Sequence, residues 1–234
     1  MSERVLKSLY RIELGRTEYK STWDLQKKLV TLRANGKLPD CLIMTEHEPV
    51  LTMGRVNSHD NLLSTPEELM KHNIELIKIE RGGDITFHGP GQLVVYPIID
   101  LSSRGRDLHK YLRDLEQVVI DTLEELNIAA TTKKGLTGVW VQNHKLAAIG
   151  VAVSRWISYH GLALNVNTDL DYFKHINPCG ITRFPVGSIS SILGKRVDFD
   201  KVSKLLSENF ADYFGYEMKT VANITDLSAE LAVA

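Results

Sequence analysis

RGGDITFHGPGQLVVYP, residues Arg81–Pro97, places two glycines after an arginine, then a histidine beside a Gly-Pro-Gly turn, then an apolar run. Glycines at that density let backbone approach a ligand closely or take positive φ. His88 belongs to the residue type that titrates nearest neutral pH. The first half therefore reads as a loop shaped around something small, and QLVVYPIIDL reads as a buried strand ending at Pro97. Just upstream, IELIKIE (Ile74–Glu80) alternates with period two, as a half-buried strand does. A strand, a loop and another strand with no helix between them point away from strict β-α alternation.

The flanks agree. Val5–Leu14 is strand-like and reaches a polar break at Gly15–Thr17, and Glu18–Ala34 carries apolar residues at helical spacing, closed by Asn35-Gly36. CLIMTEH (Cys41–His47) and PVLTMGR (Pro49–Arg55) are short strands, and Ser64-Thr65-Pro66-Glu67-Glu68 is a helix start. Asp107–Leu126 is the longest helix, with Leu108, Leu112, Leu115, Val118, Val119, Leu123 and Leu126 on one face. Gly138–Gln142, Leu146–Val153 and Leu162–Val166 form a run of strands with short turns, and Val202–Phe214 is a final amphipathic helix. The fold class expected is α+β, with a mixed, largely antiparallel sheet flanked by helices, in one domain over residues 1–234.

Composition narrows the function classes. The 234 residues are 43% apolar and 24% charged, with a net charge of −1. No global field draws such a chain to nucleic acid or to an anionic membrane, so neither partner is expected. Local basic clusters exist at Arg104, Arg106, Lys110 and Arg113 and at Lys133-Lys134. No run of some 18 uncharged apolar residues occurs, and the N-terminus lacks an export signal. Cys41 and Cys179 share no metal-ligand spacing, so a reducing, cytoplasmic setting with free thiols is expected.

Two residues stand out chemically. Cys179, bracketed by Pro178 and Gly180, sits in a turn, where a nucleophile and a buried small hydrophobe both remain open readings. Cys41 opens an apolar strand and reads as core. Lys145 follows the polar turn Gln142-Asn143-His144 and precedes a run of apolar residues and glycine. Such a lysine is either a solvated edge residue or one drawn into an apolar site, where burial lowers a lysine's pKa. The histidines show no metal-binding pair, and no phosphate loop, zinc motif or serine-nucleophile elbow is present, so no metal and no cofactor is expected.

Together these segments resemble one family, the lipoyl(octanoyl) transferases. RGGDITFHGPGQLVVYP, EHEPVLTMGR (Glu46–Arg55), GVWV with HKLAAIGV (Gly138–Val151), HGLALNV (His160–Val166) and NPCGI (Asn177–Ile181) match it in order, across roughly residues 40 to 195. One departure is visible: where the family tends to Val-Thr-Ser after the cysteine, this chain has Val186-Gly187-Ser188. The resemblance implies the fold shared with biotin and lipoate protein ligases. It implies transfer of an octanoyl or lipoyl group from octanoyl-acyl carrier protein to a lysine of lipoyl domains, in 2-oxoacid dehydrogenases and the glycine cleavage H protein. It implies that Cys179 takes the acyl group as a thioester and that Lys145 lowers the thiol pKa and shuttles protons. The acyl pocket it implies comprises Arg81, Gly82, Gly83, Asp84, Ile85, Thr86, Phe87 and His88, with Ala148, Ile149, Gly150, Gly161, Leu162 and Ala163.

The chemistry is self-consistent. Exchange of one thioester for another is nearly neutral in free energy, and passage of the acyl group to an amine runs downhill, so neither half needs ATP. Cysteine suits the task because its thiolate attacks well and leaves well. Two other readings compete: an adenylating ligase on the same fold, which leaves Cys179 without a role, and a non-catalytic scaffold that binds lipoyl domains and forms no covalent intermediate.

Overall fold

The computed structural model describes residues 6–56, 59–180 and 184–221, with the backbone alone at residues 59 and 179. Its elements run β1 (Lys7–Thr17), α1 (Tyr19–Ala34), β2 (Asp40–His47), β3 (Val50–Met53), α2 (Pro66–Lys71), β4 (Glu75–Lys78), β5 (Ile85–His88) and β6 (Gln92–Ile98). There follow α3 (Leu108–Glu124), β7 (Thr131–Lys133), β8 (Leu136–Val141), β9 (His144–Ser154), β10 (Ile157–Asn165), α4 (Ile189–Leu193), α5 (Phe199–Phe214) and β11 (Tyr216–Val221). Short 3₁₀ turns include His59–Asn61 and Pro178–Gly180.

Eight strands form the main sheet in the order β11-β1-β2-β6-β10-β9-β8-β7, and a smaller sheet has the order β4-β3-β5. In the main sheet β1 is parallel to both β11 and β2, and the remaining pairs are antiparallel. The expected mixed, largely antiparallel α+β fold is the one observed. Period-two alternation sorts the core. Leu9, Leu42, Leu93, Val95 and Leu162 face α3 and α5, while Tyr10, Ile12, Cys41, Ile43, Val94 and Tyr96 face α1. Cys41 is fully buried, and burial pushes its thiol pKa up. A third cluster of Leu51, Met53, Ile85 and Phe87 lies on the smaller sheet. No helix among the described residues is long and apolar enough to cross a membrane.

Helix boundaries follow the side chains that satisfy their ends. Thr65 and Glu68 form a reciprocal capping box at α2, Asp107 accepts from the Lys110 N–H at α3, and Asp198 accepts from the Lys201 N–H at α5. Three expectations need correction. Strand β1 does not break at Gly15–Thr17 but continues through a bulge, with Gly15 at φ +64°. The glycine-rich loop is shorter than it reads, because Ile85–His88 is a strand paired with β3. Strand β6 runs past Pro97 to Ile98, since its ladder with β10 stops at Val95 and proline's missing donor costs nothing there.

One buried carboxylate ties the margins of the main sheet together. Asp40 is 4% exposed and accepts from Arg33 Nε (2.6 Å), the Asp100 N–H (2.9 Å) and the Tyr216 hydroxyl (2.6 Å). It thereby fastens α1, the end of β6 and β11 to the start of β2. Asp40→Ala leaves a half-buried guanidinium and a buried hydroxyl without their acceptor. The expected loss is about 3 kcal/mol of unfolding free energy, read from urea denaturation at neutral pH.

Candidate active site

The sheet carries a stripe of small residues where β6, β10 and β9 run side by side. Ala148 pairs with Ala163 and Gly150 with Gly161. A Cβ at Gly161 would lie 2.1 Å from the Val95 carbonyl oxygen, so only glycine fits. Over the stripe the segment Arg81-Gly82-Gly83 is held down by three backbone bonds. The Gly82 N–H donates to Val151 O (2.9 Å), Arg55 N–H to Arg81 O (3.0 Å) and Val56 N–H to Gly83 O (3.1 Å). Arg81 is buried and its Nη2 donates to both Thr52 O (2.7 Å) and Thr52 Oγ1 (2.9 Å). The result is a narrow chamber between sheet and strap.

Thr86 and His88 of β5 face this chamber, together with Arg81, Gly82, Gly83, Ala148, Ile149, Gly150, Gly161, Leu162 and Ala163. Ile85 and Phe87 alternate to the other side of β5 and pack in the third core cluster. Asp84 does not line the chamber either; it accepts from Asn61 Nδ2 (2.5 Å). Tyr19, Val94, Tyr96 and His160 also line the chamber and were missed from sequence. The only signal for His160 was its place at the head of HGLALNV, and Tyr19 gave none beyond opening a helix.

One end of the chamber is polar and buried. His47, His88 and His160 are each at most 6% exposed. Desolvation drives all three imidazoles towards the neutral form: His47 is pushed down to about 4 and His160 to about 3, with Arg81 adding repulsion at His160, and His88 falls well below its ordinary value. Hydrogen bonds select the tautomers. His47 Nδ1 donates to Thr17 O (3.2 Å), so its Nε2 accepts from the Tyr96 hydroxyl (2.7 Å). Gln92 Nε2 donates to Asn165 Oδ1 (2.9 Å), leaving Gln92 Oε1 to accept from His88 Nδ1 (2.8 Å). Asn165 Nδ2 in turn donates to Gly187 O (2.9 Å). A continuous chain thus links the chamber to the strand that carries Lys145, because the Gly187 N–H donates to Lys145 O (3.0 Å).

Lys145 is not the solvated hairpin residue its position suggests. It is 6% exposed, its N–H donates to Pro185 O (2.9 Å), and its Nζ lies 5.6 Å from the Trp140 ring centroid. The segment Pro185–Gly187 covers it. Glycine at 187 has a local reason: a Cβ there would stand 2.8 Å from His144 Cβ. Lys145 and Pro178 line one small void, which shares Thr86, Ala148 and Ala163 with the chamber. The Pro178–Gly180 turn is anchored by Asn61, whose carbonyl accepts from the Asn177 N–H (2.8 Å). The side chain of Cys179 lies outside the described residues. Of the basic cluster, Arg104 is committed to the fold: it donates to Phe214 O (2.9 Å) and stacks over Phe214 and Tyr216.

Comparison with known proteins gives the family and the fold. Residues 18–211 match the model of the lipoyl protein ligase A/B catalytic domain. An octanoyltransferase of Solibacter usitatus is 46% identical over 212 residues, covering 91% of this chain and 96% of that protein. One from Koribacter versatilis is 44% identical, covering 92% and 88%. Among solved structures, a bipartite lipoate protein ligase of Thermoplasma acidophilum superposes with TM-score 0.73 at 19% identity, covering 97% and 91% of the two chains. A biotin protein ligase of Aquifex aeolicus gives TM-score 0.52 at 14% identity, covering 88% and 70%. At such identities the structural likeness speaks for the fold alone.

The neutral buried imidazoles make a prediction about acid stability. Unfolding returns them to an ordinary pKa of about 6.5, so below that pH the unfolded chain binds protons the folded chain refuses. Stability therefore falls as pH drops from about 6.5 towards the depressed values, by about 1.4 kcal/mol per pH unit for each imidazole. Urea midpoints measured from pH 7 to pH 4.5 should show that slope, and His160→Gln should lessen it by about one proton's worth.

Proposed function

The chain belongs to the octanoyltransferases of the lipoyl protein ligase A/B catalytic-domain family, and from that membership we propose a two-step transfer through Cys179 assisted by Lys145. It moves an octanoyl group in protein lipoylation. The donor in this reading is octanoyl-acyl carrier protein, and the acceptors are lysines of lipoyl domains in 2-oxoacid dehydrogenases and the glycine cleavage H protein. The whole of residues 1–234 serves as one catalytic unit.

The observation that carries the reading is the void shared by Lys145 and Pro178, contiguous with the chamber through Thr86, Ala148 and Ala163. It supports a cysteine and a lysine working on one carbonyl at the chamber's mouth. In the first step the Cys179 thiolate attacks the donor's thioester carbonyl. The tetrahedral intermediate collapses, the carrier's sulfur leaves, and the Lys145 ammonium supplies its proton. In the second step the acceptor's neutral amine attacks the Cys179 thioester. Its surplus proton passes to Lys145, the Cys179 thiolate departs, and an amide remains. Charges and protons balance over the cycle, with carrier thiol and acyl-lysine as products.

Within the chamber the apolar walls of Val94, Ile149, Leu162 and the small residues suit a medium-length acyl chain, and burial keeps the neighbouring imidazoles neutral. Among the residues proposed from sequence, Ile85 and Phe87 support the chamber from behind. Asp84 acts at one remove, holding Asn61, which holds the turn bearing Cys179.

Two outcomes test the mechanism. Intact mass after incubation with octanoyl-carrier should show one octanoyl adduct on wild type and on Cys41→Ser, and none on Cys179→Ala, whose turnover should fall by at least about 10³-fold. Free octanoate with ATP should give no adduct. Second, Lys145→Met should move the pH profile of Cys179 alkylation upwards, towards the ~8.5 of an unperturbed thiol. An unchanged profile would remove Lys145 from the chemistry.

A further inference from the structure

We propose that Glu116 is a positioning residue for Lys145, a buried carboxylate that fixes the strand under the lysine stem and holds its nitrogen as an ammonium. The proposal rests on the role for Lys145 given above.

Glu116 breaks the pattern of its helix. It lies on the buried side of α3 among Leu115, Val118 and Val119, and it is fully buried itself. A carboxylate in such a place is costly unless its oxygens find partners. Oε1 accepts from the Gly138 N–H (2.8 Å). Oε2 lies 2.6 Å from Arg113 Nη1, an ion pair without an aligned hydrogen bond. Burial pushes the carboxyl above its ordinary value, while the Gly138 N–H, the Arg113 guanidinium and the charge of Lys145 hold it down.

Gly138 is where this carboxylate meets the lysine. The ladder of β8 with β9 shifts register between Val139 and Trp140, and Gly138 takes φ +137° beside that shift. A Cβ on Gly138 would stand 2.5 Å from Lys145 Cε and 3.3 Å from its Nζ. The lysine stem therefore crosses a residue whose N–H is held by Glu116.

The neighbouring charges make Glu116 matter. Arg55, His109 and Lys145 line one cleft, and Arg113 pairs with Glu116 from the same helix as His109. Lys133 of β7 and Lys145 each lie 5.6 Å from the Trp140 ring centroid. His144 precedes Lys145 on β9, and the covering segment Pro185–Gly187 carries no titratable side chain. Among these groups Glu116 is the acid. It offsets the cost of burying the ammonium that gives its proton to the leaving sulfur. It also strengthens Lys145 as the base that takes the acceptor's proton, as a third group does behind the base of other nucleophile pairs. No bond to Glu116 forms or breaks, and it keeps the same proton count throughout the cycle.

The test follows the rate of acyl-enzyme formation by mass across neutral and alkaline pH, with S-octanoyl-N-acetylcysteamine as a small donor. In wild type the rate should fall on the alkaline side as Lys145 loses its proton. Glu116→Gln keeps an acceptor for Gly138 but removes the charge. Its alkaline limb should move down by about one pH unit, about a tenfold loss of rate beyond the limb. Its urea midpoint should stay close to that of wild type, because the hydrogen bond is retained. Glu116→Asp keeps the charge and should recover most of the shift. In a Lys145→Met background Glu116→Gln should move nothing. An unmoved limb in Glu116→Gln would overturn the proposal, and so would an equal shift with and without Lys145. A wild-type alkaline limb in Lys145→Met alone would instead overturn the reading of Lys145 beneath it. Wild type gives a second measurement that needs no variant to fold. With lysine carrying carbon-13 at Cε, the Lys145 resonance should shift a second time on the acid side as Glu116 takes a proton. A Lys145 resonance without that second shift would overturn the proposal equally.

Discussion

The contact of the Gly82 N–H with the Val151 carbonyl is where the smaller sheet meets the larger one, and the candidate site exists because two backbones touch there. Side chains would prevent it. A Cβ at Gly54 would stand 2.4 Å from the Gly83 carbonyl oxygen, and one at Gly150 would stand 2.8 Å from that of Gly82. Backbone oxygen cannot retreat as a flexible side chain does, so a methyl group at either position would push the strap off the sheet. With the strap in place, the space beneath it becomes the chamber.

The chamber's polar end is a separate physical problem. Burying three imidazoles and two phenols away from water is costly unless they bond to one another. Most of these groups find a partner, Tyr19 lying 3.4 Å from His160 Nδ1, while His160 Nε2 has none among the described residues. His47 accepts from Tyr96, and His88 donates to Gln92. Because Gln92 and Asn165 continue that chain to Gly187, the chamber's lining and the backbone of Lys145 belong to one network. A shift at either end meets resistance from the other, which suits the role proposed for Lys145 beside a reacting carbonyl.

Lys145 and the Pro178–Gly180 turn illustrate how position in a chain misleads. A lysine two residues past a hairpin turn is ordinarily solvated. Here a segment forty residues downstream, Pro185–Gly187, lies against it and closes it off. The turn is held by Asn61, more than a hundred residues upstream, and Asn61 is held in part by Asp84. Asn61 has no motif of its own, so nothing local marks it.

Local rules were enough for much of this protein. Period-two alternation, helical spacing and turn residues located most strands and the principal helices, because each reflects burial on one face of an element. The motif glycines were legible for the same kind of reason, since they announce backbone that must bend or approach closely. What tertiary structure decided was everything set by a partner distant in sequence. Ile85–His88 became a strand only because β3 lay alongside, and that pairing turned Thr86 and His88 to the chamber and Ile85 and Phe87 away from it. Tyr19, Tyr96 and His160 converge from three elements, so no spacing in the chain brings them together. Leu108 and Leu112 carry the period of a core face, yet β8 diverges from β9 beneath them and leaves that face open. Periodicity states which side of an element is apolar; only packing settles whether anything covers it.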